Sequence, residues 1–148
     1  MSLSFTHKDQ IPVCACCRRT LPLYLDRVPA GFPSPASEYI EENIDLNEHL
    51  ISHPSASYLL RAGGSSMIEL GIFNNDLLLV DRSLTAQQGD VVIAALDGQL
   101  TCKVLDITGR RLLPANRREK PIELSEDPDL IIEGVVPAHI RYHRHWPW

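Results

Sequence analysis

The chain has 148 residues, of which 44% are hydrophobic and 22% charged, the size and mixture of one ordinary globular domain with enough apolar material for a core. Its 14 Lys and Arg stand against 19 Asp and Glu, a net charge of −5, so the overall field repels phosphate backbones and disfavours general nucleic-acid binding, while local basic patches stay open. Apolar runs such as residues 77–80 and 91–96 fall far short of the roughly 20 residues a membrane helix needs. The start, MSLSFTHKDQIPVCACC, lacks the apolar stretch of about 7 to 15 residues that marks a secretory signal. The expectation is a cytoplasmic protein with no membrane partner.

Three of the four cysteines, Cys14, Cys16 and Cys17, crowd into one short stretch, too close together to staple separate elements, which fits a reducing compartment. C-x-C-C lacks the two-residue gap that usually lets two thiolates reach one zinc, so free thiols are favoured over a metal site, although His7 lies nearby. Five of the 11 prolines (Pro12, Pro22, Pro29, Pro33, Pro35) lie before residue 36, and proline excludes regular ladders. Residues 1–35 therefore read as an extended, flexible N-terminal arm, and residues 36–148 as a β-rich domain. At the junction, Ser34 can cap a helix, Pro35 suits its first turn, and Tyr39, Ile40, Ile44 and Leu46 follow at nearly helical spacing. That helix would carry Glu38, Glu41, Glu42, Asp45 and Glu48, which read as a solvated face more readily than as a partner surface.

Beyond Pro54 the chain becomes a series of short β-like runs: SYLLRA from Ser57, DLLLVD from Asp76, DVVIAAL from Asp90, QLTCKVL from Gln99, RRLLP from Arg110 and DLIIEGVV from Asp129. Strands separated by turn signals, with no second long helical pattern, predict a mostly β fold of short antiparallel strands. Asp97-Gly98 between two runs is a two-residue hairpin signature, because the tight turn wants positive φ. It pairs residues 90–96 with 99–105. No repeat points to a solenoid or propeller.

The lysines are Lys8, Lys103 and Lys120, the last in a basic loop with Arg117 and Arg118. Alternation along the 99–105 run puts Thr101, Lys103 and Leu105 on one face and Leu100, Cys102 and Val104 on the other. A lysine there reads most simply as a solvent-facing guard on an edge strand. The alternative is a lysine deprived of water, since desolvation favours a neutral amine that can act as a base. A base needs a nucleophile, and the candidate is the turn Ala62-Gly63-Gly64-Ser65-Ser66-Met67, where small residues let another backbone approach and a hydroxyl can sit beside free N–H groups. By itself a Gly-Ser stretch between strands is usually a plain loop. It is not the G-x-S-x-G elbow, and the six histidines are placed too poorly for a Ser-His-Asp triad.

Several blocks in order carry a resemblance: A-G-F-P-S-P-A at 30–36, I-D-L-N at 44–47, H-P-S-A at 53–56, G-x-S-M-I at 64–68, D-L-L-L-V-D at 76–81, G-D-V-V-I-A-A-L-D-G at 89–98 and T-x-K at 101–103. From Gly31 to about Val136 the chain resembles the UmuD and LexA family of self-cleaving serine peptidases. The resemblance implies a compact LexA/UmuD-like β domain, Ser66 as nucleophile, Lys103 as general base, and Ala30-Gly31 as the self-cleavage site, with the Met67 N–H as an oxyanion donor. Family members usually have Asp before the nucleophile, where this chain has Ser65; Met67 and Ile68 after Ser66 fix the assignment. Cys102 takes a place that is commonly valine.

The resemblance further implies cleavage triggered by a RecA filament on single-stranded DNA. The product, residues 31–148, would act as a homodimer with a UmuC-like Y-family polymerase in SOS translesion synthesis, with no cofactor, no metal and no sequence-specific DNA binding of its own. A non-catalytic interaction module with the same fold is the rival reading. A LexA-like repressor is disfavoured, because about thirty proline-rich residues before Gly31 leave no room for a helix-turn-helix. A signal-peptidase-like enzyme would need a membrane anchor.

Overall fold

The structure is a computed structural model, and it describes residues 18–25, 27–28, 31, 39–124 and 130–144. The cysteines at 14, 16 and 17, the Ala30 side of the expected scissile bond, the Ser34-Pro35 cap, and Trp146 and Trp148 lie outside the described residues. Two compact units emerge, one ending at Ser52 and the other starting at His53.

In the first unit, β1 (Thr20–Tyr24) pairs antiparallel with β2 (Ile40–Asp45), and α1 (Leu46–Leu50) follows directly. This corrects the expected helix through Tyr39, Ile40 and Ile44. The helix is confined to five residues beginning at Leu46, and the segment before it is strand. Strand pairing with β1, which a local spacing pattern cannot register, wins over a helical period too short to sustain itself. Asp45 ends the strand and caps the helix, its side chain accepting from the Asn47 N–H at 2.9 Å.

The second unit is a seven-stranded antiparallel sheet in the order β3-β4-β9-β5-β6-β7-β8. Its strands are β3 (Ser57–Arg61), β4 (Leu77–Asp81), β5 (Val91–Leu96), β6 (Gln99–Asp106), β7 (Arg111–Leu113), β8 (Ile122–Glu123) and β9 (Leu130–Ile140). The expected β runs all appear, the hairpin included: Asp97 and Gly98 have φ of 50° and 76°, both in the region the tight turn demands. The last strand runs on to Ile140, through Pro137. The β4–β9 register slips between Leu79, opposite Ala138, and Asp81, opposite Val135. The extra residue makes a bulge, which tolerates a proline lacking an N–H.

Alternation along the central strands gives the sheet two apolar faces. Met67, Ile72, Leu78, Val80, Ile93 and Val136 form one cluster, and Val92, Ala94, Leu105, Leu112 and Val135 the other. Fully burying a Val or Leu side chain stabilises by roughly 1.5–3 kcal/mol. Gly134 lies against β4, where an added Cβ would meet Val80 Cγ1 at 2.6 Å. No described helix is long and apolar enough to cross a membrane.

Candidate active site

The turn that carries Ser66 leaves β3 and returns to β4. It is closed at its base by the Ala62 N–H donating to Asp76 O and the Asn75 N–H donating to Ala62 O, each at 2.8 Å. Gly64, with φ of +80°, takes a conformation that L side chains resist, and its N–H donates to Asn74 Oδ1 at 3.1 Å. Met67, only 3% exposed, anchors the next residue in the first apolar cluster. Ser66 is therefore held between a glycine-shaped bend and a buried side chain, which limits its freedom to swing. The Met67 N–H donates to no acceptor among the described residues.

Two anchors steady this loop from outside. Asp76, 5% exposed, accepts from Arg141 Nη2 at 2.8 Å and from the Phe73 N–H at 2.8 Å. Burial alone would raise its carboxyl, but the Arg141 and Phe73 hydrogen bonds and the charges of Arg141 and His139 outweigh it, so the group lies below the ordinary carboxylate range. The Arg141 guanidinium also stacks 3.6 Å from the centre of the Phe73 ring, a cation–π contact. On the other side, the segment after β7 grips the loop. Asn116 Nδ2 donates to Ser65 O at 2.9 Å, the Glu69 N–H donates to Ala115 O at 2.8 Å, and the Arg117 N–H donates to Glu69 Oε1 at 3.1 Å.

Lys103 lies on β6, hydrogen-bonded between β5 and β7, and is 7% exposed. It is not the solvent-facing lysine of an edge strand. Its Nζ donates to Ser66 Oγ at 2.9 Å, to Thr101 Oγ1 at 3.1 Å and to Cys102 O at 3.2 Å. None of the ion pairs among the described residues involves Lys103. All its acceptors are neutral oxygens, and the nearest is a hydroxyl. A lysine takes a proton from an alcohol only as the neutral amine. Ser65 is exposed, and among the described residues its Oγ reaches only Glu119 Oε1, at 3.5 Å; of the two adjacent serines, it is Ser66 that meets the lysine.

A cleft of about 290 Å³ opens beside this pair, lined among others by Gly63, Gly64, Met67, Phe73, Leu100 and Thr101. Cys102 lines it too, but burial pushes its thiol up to about 11, with the Lys103 charge pulling the other way. The thiol thus stays protonated near neutrality and is no rival nucleophile. Among the described residues no group of three His, Cys, Asp or Glu side chains could hold a metal ion. Of the residues the sequence singles out, the structure joins Ser66, Met67 and Lys103 at one place. Gly31 is exposed and lies in the first unit. Sequence reasoning missed Asn116 and the Asp76–Arg141 pair, whose partners are 51 and 65 residues away and leave no local signal.

The profile of the Peptidase S24-like family matches residues 22–137. The protein SamA of Salmonella typhimurium strain LT2 is 45% identical over 137 residues, which are 92% of this chain and 93% of SamA. The protein ImpA of Escherichia coli is 51% identical over 115 residues, 78% of this chain and 79% of ImpA. The LexA repressor of Ectopseudomonas mendocina is 40% identical over 120 residues, 79% of this chain but 58% of the repressor.

Proposed function

We propose that this chain, which belongs to the Peptidase S24-like family, cuts its own backbone between Ala30 and Gly31 with a Ser66-Lys103 dyad. The observation that carries the reading is the 2.9 Å hydrogen bond between Lys103 Nζ and Ser66 Oγ at a lysine 7% exposed. Neutral Lys103 takes the Ser66 proton as Oγ attacks the Ala30 carbonyl. The Met67 N–H donates to the oxyanion. As the tetrahedral intermediate collapses, the Ala30–Gly31 C–N bond breaks, and the proton held on Lys103 passes to the Gly31 nitrogen. Water, deprotonated by the same amine, then hydrolyses the Ala30 ester and frees Ser66. Two small residues at the scissile bond suit a close approach, which must bring the carbonyl within roughly 3 to 3.5 Å of the hydroxyl.

The arm, residues 1–35, is thus substrate, and the domain, residues 36–148, is enzyme. Tethering makes the reaction effectively unimolecular, so rate is governed by how often the arm reaches the cleft. Family resemblance supports a RecA filament on single-stranded DNA as the trigger. It also supports residues 31–148 as the product, a homodimeric cytoplasmic partner of a UmuC-like Y-family polymerase in the SOS response. Intact mass after incubation with RecA filaments tests trigger, bond and nucleophile together. Wild type is expected to yield residues 1–30 and 31–148, and Ser66→Ala to stay whole. A wild-type chain that stays whole would leave a non-catalytic interaction module instead.

A further inference from the structure

The Asn116 side chain reaches the nucleophile's turn without touching the nucleophile. Asn116 is 8% exposed, and both ends of its amide are engaged: Nδ2 donates to Ser65 O at 2.9 Å and Oδ1 accepts the Arg118 N–H at 3.0 Å. The opposite amide orientation would set donor against donor and acceptor against acceptor, so the network fixes which way the group faces. The Ser65 carbonyl is the other half of the peptide that carries the Ser66 N–H, and no cis peptide bond occurs among the described residues. In a planar trans peptide the C=O and N–H vectors oppose each other. Holding the Ser65 oxygen toward Asn116 therefore aims the Ser66 N–H away from the 115–119 segment.

Two clefts border this turn. One is lined by Ser65, Ile68, Glu69, Asn116 and Glu119, and the other by Gly63, Gly64, Ser66, Met67 and Thr101. Ser65 lines the first and Ser66 the second. The Ser66 N–H has no acceptor among the described residues, as the Met67 N–H has none. We infer that Asn116 is a positioning residue for catalysis: by pinning the Ser65 carbonyl it orients the Ser66 N–H as a second oxyanion donor beside that of Met67. The Ser65 oxygen has one other donor, the Ile68 N–H at 3.4 Å, a long bond that leaves the peptide free to rock once the amide is gone.

This inference rests on the peptidase reading, and its test separates the two. The full chain and Asn116→Asp, which keeps the shape and the Oδ1 acceptor but loses the donor, are compared in three measurements. These are self-cleavage rate against pH, KM for a peptide spanning Ala30-Gly31, and inhibition by a peptide boronic acid ending in the Val28-Pro29-Ala30 sequence, whose tetrahedral adduct presents an oxyanion. Asn116→Asp is expected to lower the cleavage rate by about 10²-fold, the loss typical of one oxyanion donor, with the midpoint of the pH profile unmoved. Boronate affinity should fall by a similar factor while KM stays within about twofold.

A variant as fast as wild type, a moved midpoint, or equal losses for peptide and boronate would overturn the inference, since a merely structural role loosens both ligands alike. If Asn116→Asp does not fold, Asn116→Ala carries the same comparison with the same outcomes. A wild-type chain that neither cuts itself nor binds the boronate overturns the peptidase reading and this inference together.

Discussion

The two sheets of this molecule are built on opposite principles. In the two-stranded sheet every residue of β1 is exposed, and β2 reaches only partial burial at Ile44 and Asp45; Leu21, Leu23, Tyr24 and Ile40 stand at 41–56% exposure. In the seven-stranded sheet, Val80, Val92, Ala94 and Leu112 are at 0%, and Lys103 on β6 is only 7% exposed. An isolated two-stranded ribbon is marginal in water, whereas a sheet packed on both faces holds groups in place. The contrast suits the proposed division of labour: β1, in the arm that would be the substrate, gains from weak local structure, and a Ser66–Lys103 pair held at 2.9 Å gains from a rigid frame.

Substitutions that remove apolar bulk sharpen that contrast most. Leu112→Ala, at a site with 0% exposure, should cost about 2–5 kcal/mol in denaturant unfolding of the full chain, while Leu21→Ala, at 56% exposure, should stay within about 0.5 kcal/mol. Comparable losses at the two positions would erase the distinction. Gly134→Ala comes next: the new methyl would meet Val80 Cγ1 at 2.6 Å and Asp81 O at 3.0 Å, and overpacking of this kind costs about 1–3 kcal/mol. A melting temperature equal to wild type would mean that the β4–β9 contact yields more easily than its spacing implies.

Acid should weaken the large sheet through two of its carboxylates. Asp81 is held at about 2 by hydrogen bonds from Ser83 and His53, and Asp106 at about 2 by Arg111, the Gly109 N–H and Gln88. Both lie below the unfolded carboxylate value of about 3.9. Their contribution is therefore complete above about pH 4 and disappears as the pH falls from there toward 2. Asp106→Asn should flatten this acid limb in a pH series of unfolding curves, and an unchanged slope would contradict the assignment. The smallest effect belongs to the Arg18–Glu48 pair, whose side chains are 76% and 61% exposed; Arg18→Ala should change stability by less than about 1 kcal/mol, as exposed pairs usually do.

How far the sequence could be read follows from the same contrast. The 57–61, 77–81 and 91–96 strands announce themselves because each is a run of apolar or β-branched residues bounded by turn chemistry, and Asp97-Gly98 states its hairpin outright. β2 does not: Ile-Glu-Glu-Asn-Ile-Asp has two apolar residues four apart, a spacing that fits a helix, and only the distant partner Thr20–Tyr24 makes it a strand. Pro137 hid the end of β9 because a bulge rescues it.

At the site, alternation along β6 assigns Lys103 a face but says nothing of its burial, because the hydroxyl that receives its proton-bearing end lies 37 residues earlier. Ordered family blocks supplied what spacing lacked. Asn116 fell outside those blocks, and its partner Ser65 lies 51 residues earlier, so only the fold brings the two together.

The central claim is that a lysine amine hidden in the sheet deprotonates Ser66, and the pH dependence of self-cleavage without any RecA tests it most directly. Followed by intact mass from about pH 7 to about pH 11, the wild-type rate should rise with pH, because only a neutral amine can accept the Ser66 proton. Fragments should meet at Ala30-Gly31, and Lys103→Ala and Ser66→Ala should be slower by about 10⁴-fold or more. A wild-type chain that stays whole across that range, a rate indifferent to pH, or a Lys103→Ala chain that cuts as fast as wild type would contradict it.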